Sequence, residues 1–257
     1  MAEWLKAHAW KVCKRETVSW VRIPLSPPKK EYYKKILMKK NLKRNTFLYK
    51  LYLIKIWLKY KLLPAKKSYS QFGEDLIINK FFKNFSGRYV DIGCFNPIKY
   101  NNTALLYLRG WVGTNIDLNP SSIDLFKIIR KNDNNIVACL SDKKKNITIY
   151  FDHIFSALNS INLENSKNFN LKNLKKIKVK TKIFSDLVKH NFDFLNIDCE
   201  GSDYQILKSI DLNYYTPKLI CVEINLKNKR KIFQYLYSYG YRVFKIKKVS
   251  YIFKKIC

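Results

Sequence analysis

The sequence predicts an α/β fold: a mainly parallel, doubly wound sheet with a C-terminal antiparallel hairpin, preceded by a basic amphipathic helix. Three observations carry this expectation. Five short apolar runs between 88 and 224 (RYVDI, VGTNI, NIVAC, DFLNI, KLICVEI) read as strands buried on both faces. Helical periodicity near 101–109, 121–131, 202–210 and 229–239 separates most of them, and such alternation makes a parallel sheet with helices on both sides. The β-like stretches YRVFKI and SYIFKK, joined by Lys-Lys-Val, close the chain as a hairpin. With 257 residues, 47% of them apolar, the chain is long enough to bury a full core.

Taken in order, residues 1–37 do not belong with the rest. MAEWLKAHAWKVCKRETVSWVRIPLSPP is rich in Trp, Ala, Arg and Val and almost free of the Asn and Ile that dominate later. Back-translated, Val21-Arg22-Ile23-Pro24 can be written GTT CGA ATC CC, a transfer-RNA T-loop. Ala9-Trp10-Lys11 can be an anticodon loop presenting GGA, and Pro27-Pro28 can be CCG CCA, an acceptor end. These residues are expected to be a serine tRNA gene read in frame, with the true start at or after Met38, and they are set aside from fold reasoning.

Residues 38–67 form a basic amphipathic segment. In 42–63, Phe47, Leu51, Ile54 and Leu58 recur at helical spacing among lysines 50, 55, 59 and 61, and Pro64 ends the pattern. Such a helix either covers a core with solvated lysines or lies on an anionic membrane. Residues 68–257 form the main domain. Within it, 144–181 breaks the alternation with two β-like stretches, NITIYF and IKVKT, around an Asn- and Ser-rich segment, read as an insertion over the sheet end.

Composition limits the functional classes. The six cysteines are scattered, without C-x-x-C or Cys/His ligand spacing, which argues against a zinc site or disulfide framework and for a reducing, cytoplasmic setting, peripheral at the inner membrane face if the helix seats there. No apolar stretch approaches the roughly 20 residues of a spanning helix. The net charge of +31 is spread along the whole chain with Asn and Ile, as AT-rich codon usage produces, rather than clustered as a nucleic-acid surface requires, so nucleic acid is not the expected partner.

Chemistry concentrates at the strand ends. In YVDIGCFNP, the strand ends in Asp91-Ile92-Gly93, where ligands of doubly wound sheets bind, and a residue without Cβ lets a ligand approach the backbone. The G-x-G-x-x-G that makes room for a pyrophosphate is missing. Asp117 ends the second strand, where an acid accepts hydrogen bonds from both ribose hydroxyls. One glycine and a ribose acid on successive strands suggest S-adenosylmethionine. Taken singly, Asp91 could cap a turn and Asp117 could cap the helix beginning near Pro120.

YSQFGEDLI, VDIGCFNP, NNTALLYLRGWVGTNIDLNP, VACLSD and FDFLNIDCEGSDYQILKSIDL followed by PKLICVEIN together resemble the FkbM family of S-adenosylmethionine-dependent methyltransferases, over roughly residues 68–246. The resemblance implies a class I (Rossmann-like) methyltransferase fold and methylation of a hydroxyl oxygen, often on a saccharide or secondary metabolite. It assigns Asp91 and Gly93 to the first cofactor motif and Asp117 to the ribose. Ser141 and Asp142 fall where an adenine contact is expected, although Asp142 equally suits a turn. Asn102 and Thr103 match the family's Asn-Thr at the first helix, in a capping or cofactor-binding role. Cys94-Phe95-Asn96-Pro97 replaces a second glycine common in that loop.

Asp198 and Glu200 stand two apart in NIDCEGSD and so point the same way on an extended segment, at the carboxyl end of the sheet. A carboxylate there can accept the proton of an attacking hydroxyl or orient it, with Asp198 the first choice and Glu200 the second. Ser202-x-x-Gln205 fits a capping box. With Asp203, the two acids could also hold a divalent cation. Gln71, Glu74 and Asp75 are expected in a lid or substrate-binding segment, and His153 in the insertion is an alternative base. The expected acceptor is a saccharide or glycolipid hydroxyl. RNA ribose methylation and a non-catalytic membrane-surface role that retains the fold are the alternatives.

Overall fold

In the computed structural model, the described residues are 42–62, 64–151 and 175–256, all within one unit, Lys39–Cys257. The expected extension at 1–37 and His153 lie outside them. The sheet is built from β1 (Arg88–Ile92), β2 (Val112–Asp117), β3 (Asn134–Val137), β6 (Phe194–Ile197), β7 (Leu219–Glu223), β8 (Tyr241–Lys247) and β9 (Ser250–Lys255). Their order is β3-β2-β1-β6-β7-β9-β8. The first five are mutually parallel, whereas β9 runs antiparallel to both β7 and β8. β6 is buried at all four positions, and β1 at every position after Arg88, which is why their sequences read as continuous apolar runs rather than alternating ones.

Helices cover both faces: α2 (Glu74–Phe81), α3 (Ala104–Leu108), α4 (Pro120–Ile129), α5 (Phe184–Leu187), α6 (Asp203–Lys208) and α7 (Lys229–Ser238). One apolar cluster joins Val90, Leu195, Ile220, Leu207 and Leu236, and a second joins Tyr89, Trp111, Phe194 and Ile78. Asn119 caps α4, its side chain accepting from the Ser121 amide at 3.0 Å, with Pro120 at the first helical position. In the region read as an insertion, β4 (Asn146–Phe151) and β5 (Lys175–Lys180) pair antiparallel as a separate two-stranded sheet. Residues 152–174 between them lie outside the described part of the chain.

α1 (Phe47–Leu62) packs on the domain through a face other than its Phe47–Leu51–Ile54–Leu58 stripe, so that stripe does not cover the core. Tyr49 and Leu53 are its buried residues, and they pack with Ile56 against Leu125 of α4. Phe47, Leu51, Ile54 and Leu58, the spacing that suggested the helix, all face outward. With 3.6 residues per turn the two sets fall on opposite sides.

A buried polar cluster joins the first strands to the loop that follows β1. Arg130, fully buried at the end of α4, donates to the Pro97 carbonyl, to Asn101 Oδ1 at 2.6 Å, to Thr103 Oγ1 at 2.7 Å and to the Tyr89 hydroxyl at 3.1 Å. Thr103 Oγ1 and Asn101 Nδ2 then donate to Asp91 Oδ2 at 2.7 and 3.1 Å, and Asn196 Nδ2 donates to Asp91 Oδ1 at 2.8 Å. The expected helix start at 101 is displaced to Ala104 because Asn101 and Thr103 are committed to this cluster. Replacing Arg130 with Met should leave several buried acceptors without donors and lower the unfolding free energy by about 3–5 kcal/mol. Urea denaturation of the variant checks this; a loss below about 1 kcal/mol would show the cluster to be dispensable.

Candidate active site

Strand order reverses at β1, which has β2 on one side and β6 on the other, so the loops at their carboxyl ends diverge and open a cleft. Gly93, Asp117, Asp198, Glu200 and Glu223 line it, together with Gln71, Glu74, Asn102 and Ser250.

Gly93 needs no side chain for a different reason than expected. Its φ is +75°, and an added Cβ would lie 1.8 Å from the Asp198 carbonyl oxygen and 3.1 Å from Cys199 Sγ. The neighbour that excludes a side chain is thus the backbone leaving β6, not a ligand, although Gly93 also forms part of the cleft wall. The close approach brings the β1 and β6 loops together and fixes where Asp198 emerges.

Asp117 ends β2 as expected. Its Oδ2 accepts from the Phe95 amide at 2.8 Å and its Oδ1 from the Asn119 amide at 2.7 Å. Burial nevertheless raises its pKa to about 6, those two amides opposing the shift. A carboxylate oxygen has two lone pairs, so each keeps one for a pair of adjacent hydroxyls. The cleft lining also includes the apolar residues Ile116, Leu118, Ala138, Leu140 and Ile206. Ser141 and Asp142 follow Leu140 in sequence but are not among the cleft-lining residues: the Ser141 amide donates to the Lys182 carbonyl, and its hydroxyl to Asp142 Oδ1. The wall at this point is Ala138, Cys139 and Leu140 instead.

Asp91 and Thr103 are fully buried in the polar cluster and reach the cleft only indirectly. The relay runs from Asp91 to Asn196, whose Oδ1 accepts from Asn102 Nδ2 at 2.9 Å, and Asn102 lines the cleft. Asp75 is likewise fully buried, accepting from Ser68 Oγ, the Tyr69 amide and Ser70 Oγ at 2.6–2.7 Å, and so shapes the turn before α2. Glu74 does line the cleft, where Oε1 accepts from Ser250 Oγ at 3.1 Å and Oε2 from the Phe72 amide at 2.8 Å. Gln71 lies beside it with an exposed side chain.

The β6 loop carries three acids with different partners. Asp203 accepts from the Cys199 amide at 2.8 Å and the Gly201 amide at 3.0 Å, which folds the loop back on itself. Ser202 makes no side-chain cap, so the expected capping box does not form, and Ser202 faces the cleft. Glu200 takes a left-handed conformation, φ +47°. Asp198 is hydrogen-bonded to Glu223 at the end of β7, and its pKa stands well above the usual carboxylate range because of burial first, then the charge and hydrogen bond of Glu223. Burial, then Glu223 and Asp203, lifts Glu200 to about 7. Asp198 and Glu200 still present surface to solvent. They line a narrow cleft, so water touches them on the open side while protein displaces it on the others. Among the described residues, no group of three or more His, Cys, Asp or Glu is arranged to hold a metal ion.

Glu223 was not singled out from the sequence. Its signal was an acid ending an apolar strand run, the same signal that marked Asp91, Asp117 and Asp198. Tyr100, in the loop after β1, and Val249, in the turn between β8 and β9, left no comparable mark.

The family described as Methyltransferase FkbM domain matches residues 91–243. Among solved structures, methyltransferase FkbM from Methylobacillus flagellatus KT is 11% identical with a TM-score of 0.47, covering 87% of this chain and 58% of that one. The chain therefore spans 58% of that protein's resolved length. A TehB-like SAM-dependent methyltransferase from Corynebacterium glutamicum ATCC 13032 Kitasato is 12% identical with a TM-score of 0.43, covering 80% of this chain and 99% of that one. The 16S rRNA methylase RmtB is 14% identical with a TM-score of 0.42, covering 88% and 82% respectively. None of the curated proteins matches the chain.

Gly93→Ala should cost about 2–5 kcal/mol in stability, from the left-handed backbone and the contact with Asp198, and should displace Asp198 in whatever remains folded. Thermal unfolding and ligand titration measure both; unchanged stability and binding would contradict the close approach.

Proposed function

The chain belongs to the FkbM methyltransferase family, and from that premise we propose that it uses S-adenosylmethionine to methylate a hydroxyl oxygen of a saccharide or glycoconjugate. One observation carries the reading. The chain has 50 Lys and Arg against 19 Asp and Glu, yet the cleft is lined by Glu74, Asp117, Asp198, Glu200 and Glu223 and, among the described residues, by no Lys, Arg or His. That inversion suits a ligand that is itself cationic and is hostile to a phosphate.

The residues fit such a ligand. The apolar lining residues Leu118, Ala138 and Leu140 would take the adenine, Asp117 the ribose hydroxyls, and the acids near Asp198 the positively charged end. Bound S-adenosylmethionine supplies a methyl group activated by positive charge on sulfur. Burial and the neighbouring Glu223 favour the protonated form of Asp198 while the cleft holds no cation, so it is not then free to accept a proton. Positive charge beside it favours ionisation, and the ionised carboxylate can then accept the proton of an acceptor hydroxyl. Glu200, held near the operating pH, can orient that hydroxyl or take the same proton. A neutral sugar hydroxyl meets no electrostatic barrier here, whereas an RNA strand would bring its phosphates against five acids. Ribose methylation of RNA draws support from the net charge of +31 alone.

Incubating the protein with labelled S-adenosylmethionine and fractionated glycans, lipids and RNA should place label in the saccharide or glycolipid fraction; label confined to RNA would overturn the reading. Asp198→Asn should lower turnover by about 10²–10⁴-fold while cofactor binding, read by calorimetry, persists. An active variant removes Asp198 from the mechanism.

The pH dependence follows from the raised carboxyl groups. They are protonated in the ligand-free cleft at low pH, and a cation favours their ionised form. Affinity for the sulfonium should therefore rise from about pH 5 to about pH 8, and the dependence should be shallower for the neutral thioether product. For the ligand-free protein the sign reverses: a raised carboxyl pKa contributes stability at low pH that is lost as pH rises through about 6 to about 7. Flat affinity across that range would show that the acids do not face the charge.

A further inference from the structure

α1 is apolar on two opposite faces, and among the described residues only one has a partner. On the inner face Tyr49, Leu53 and Ile56 pack on Leu125. Hydrogen bonds pin that face: Tyr49 Oη donates to Asp124 Oδ2 at 2.8 Å, Arg44 forms a two-pronged pair with Asp124 at 2.7 and 2.9 Å, and Tyr60 Oη donates to Asn96 Oδ1 at 3.1 Å. The helix cannot roll to hide its other side without breaking these contacts. The outer face carries Phe47, Leu51, Ile54, Leu58 and Leu62, with exposures of 75, 45, 48, 45 and 80%. A continuous stripe of this length on an outward surface calls for an occupant.

The charges around the stripe identify one. FLYKLYLIKIWLKYKL contains four lysines and no acid. At 100° per residue, Lys50 and Lys61 flank the stripe on one side, and Lys55 and Lys59 on the other. Trp57 lies between the stripe and the packed face, with the Lys61 ammonium 4.5 Å from its ring. A protein partner would need acids on both margins of a groove to match this pattern. A bilayer surface with anionic headgroups matches it directly, taking the apolar stripe below the headgroups and the lysines among them. The helix is too short and too charged to span, and none of the described helices is long and apolar enough to cross a membrane.

We propose that α1 is a membrane-seating element that lays the Phe47–Leu51–Ile54–Leu58–Leu62 stripe on an anionic bilayer surface, with Lys50, Lys55, Lys59 and Lys61 contacting its headgroups. The proposal is independent of the chemistry of the cleft. Seating also orients the cleft, because Tyr60 holds Asn96 in the loop whose Phe95 forms part of the cleft wall.

The test is co-sedimentation of the full chain with vesicles of phosphatidylcholine, with and without phosphatidylglycerol. Binding is expected only when the anionic lipid is present. It should fall by roughly tenfold or more at about 1 M salt, where the screening length is about 3 Å. The double variant Leu51→Glu with Leu58→Glu should abolish sedimentation while keeping the wild-type melting temperature, since both positions face outward. Leu51→Ala with Leu58→Ala, which removes apolar area without adding charge, should reduce binding by roughly tenfold. Vesicle binding unaffected by either variant would overturn the proposal by moving the contact elsewhere. So would no binding by the wild-type chain, whether residues 1–41 cover the stripe or a second copy does; sedimentation velocity of wild type and double variant distinguishes those two. None of these readouts needs turnover, so failure here leaves the methyltransferase reading standing, and the reverse.

Discussion

The architecture of the cleft depends on one buried carboxylate. Asp91 sits at the centre of the sheet with no solvent contact, and its oxygens are claimed by Asn101, Thr103 and Asn196. A buried charge in that position is tolerable only with a full complement of donors and a counter-charge, and Arg130 supplies the latter through Thr103 and Asn101. The arrangement ties α4, the loop after β1, and β6 into one unit. That loop has no regular structure of its own and would otherwise be free to move. Held at Pro97, Asn101 and Thr103, it delivers the Phe95 amide to Asp117 and the side chain of Asn102 to the cleft. The residues that face a ligand are thus positioned by residues that never meet it.

The electrostatics of the molecule are divided in the same way. Lysines crowd the outside, while acids converge at the carboxyl ends of β2, β6 and β7. Burial of these acids at the cleft, with their mutual repulsion adding to it, is the physical origin of the raised pKa of Asp198 and of Glu200. The protonated form of Asp198 is thereby favoured in the ligand-free cleft.

The strands were legible because burial on both faces leaves continuous apolar runs, and their acidic ends marked the cleft. RYVDI coincides with β1, and Asp117, Asp198, Glu200, Glu74 and Asn102 all reach the cleft. What could not be read was which partner each polar group would choose. Asp91 and Asp117 carry the same signature, an acid ending a strand, yet one is buried in a structural cluster and the other lines the cleft. Gly93 announced a close approach but not its identity, since the Asp198 carbonyl comes from a strand about 100 residues away in sequence. The periodicity of α1 found the helix but not which apolar face packs on the domain, because a helix apolar on two sides gives the same spacing for either. Glu223 was absorbed into an apolar run that otherwise reads as plain core.

The six residues from Asp198 to Asp203 show how local geometry sorts like side chains into different tasks. All three acids in this stretch are close enough to repel one another, and all have raised pKa values. Asp203 is bound by the Cys199 and Gly201 amides, so its charge serves to bend the loop, and its pKa is held to about 6. That bend is what forces Glu200 and Gly201 into left-handed backbone and turns Glu200 toward the cleft. Asp198 precedes the bend; burial first, and then the neighbouring acid Glu223, hold its pKa well above the usual carboxylate range. A sequence supplies the acids, but the backbone amides decide which of them keeps the loop in shape and which is left with chemistry to do.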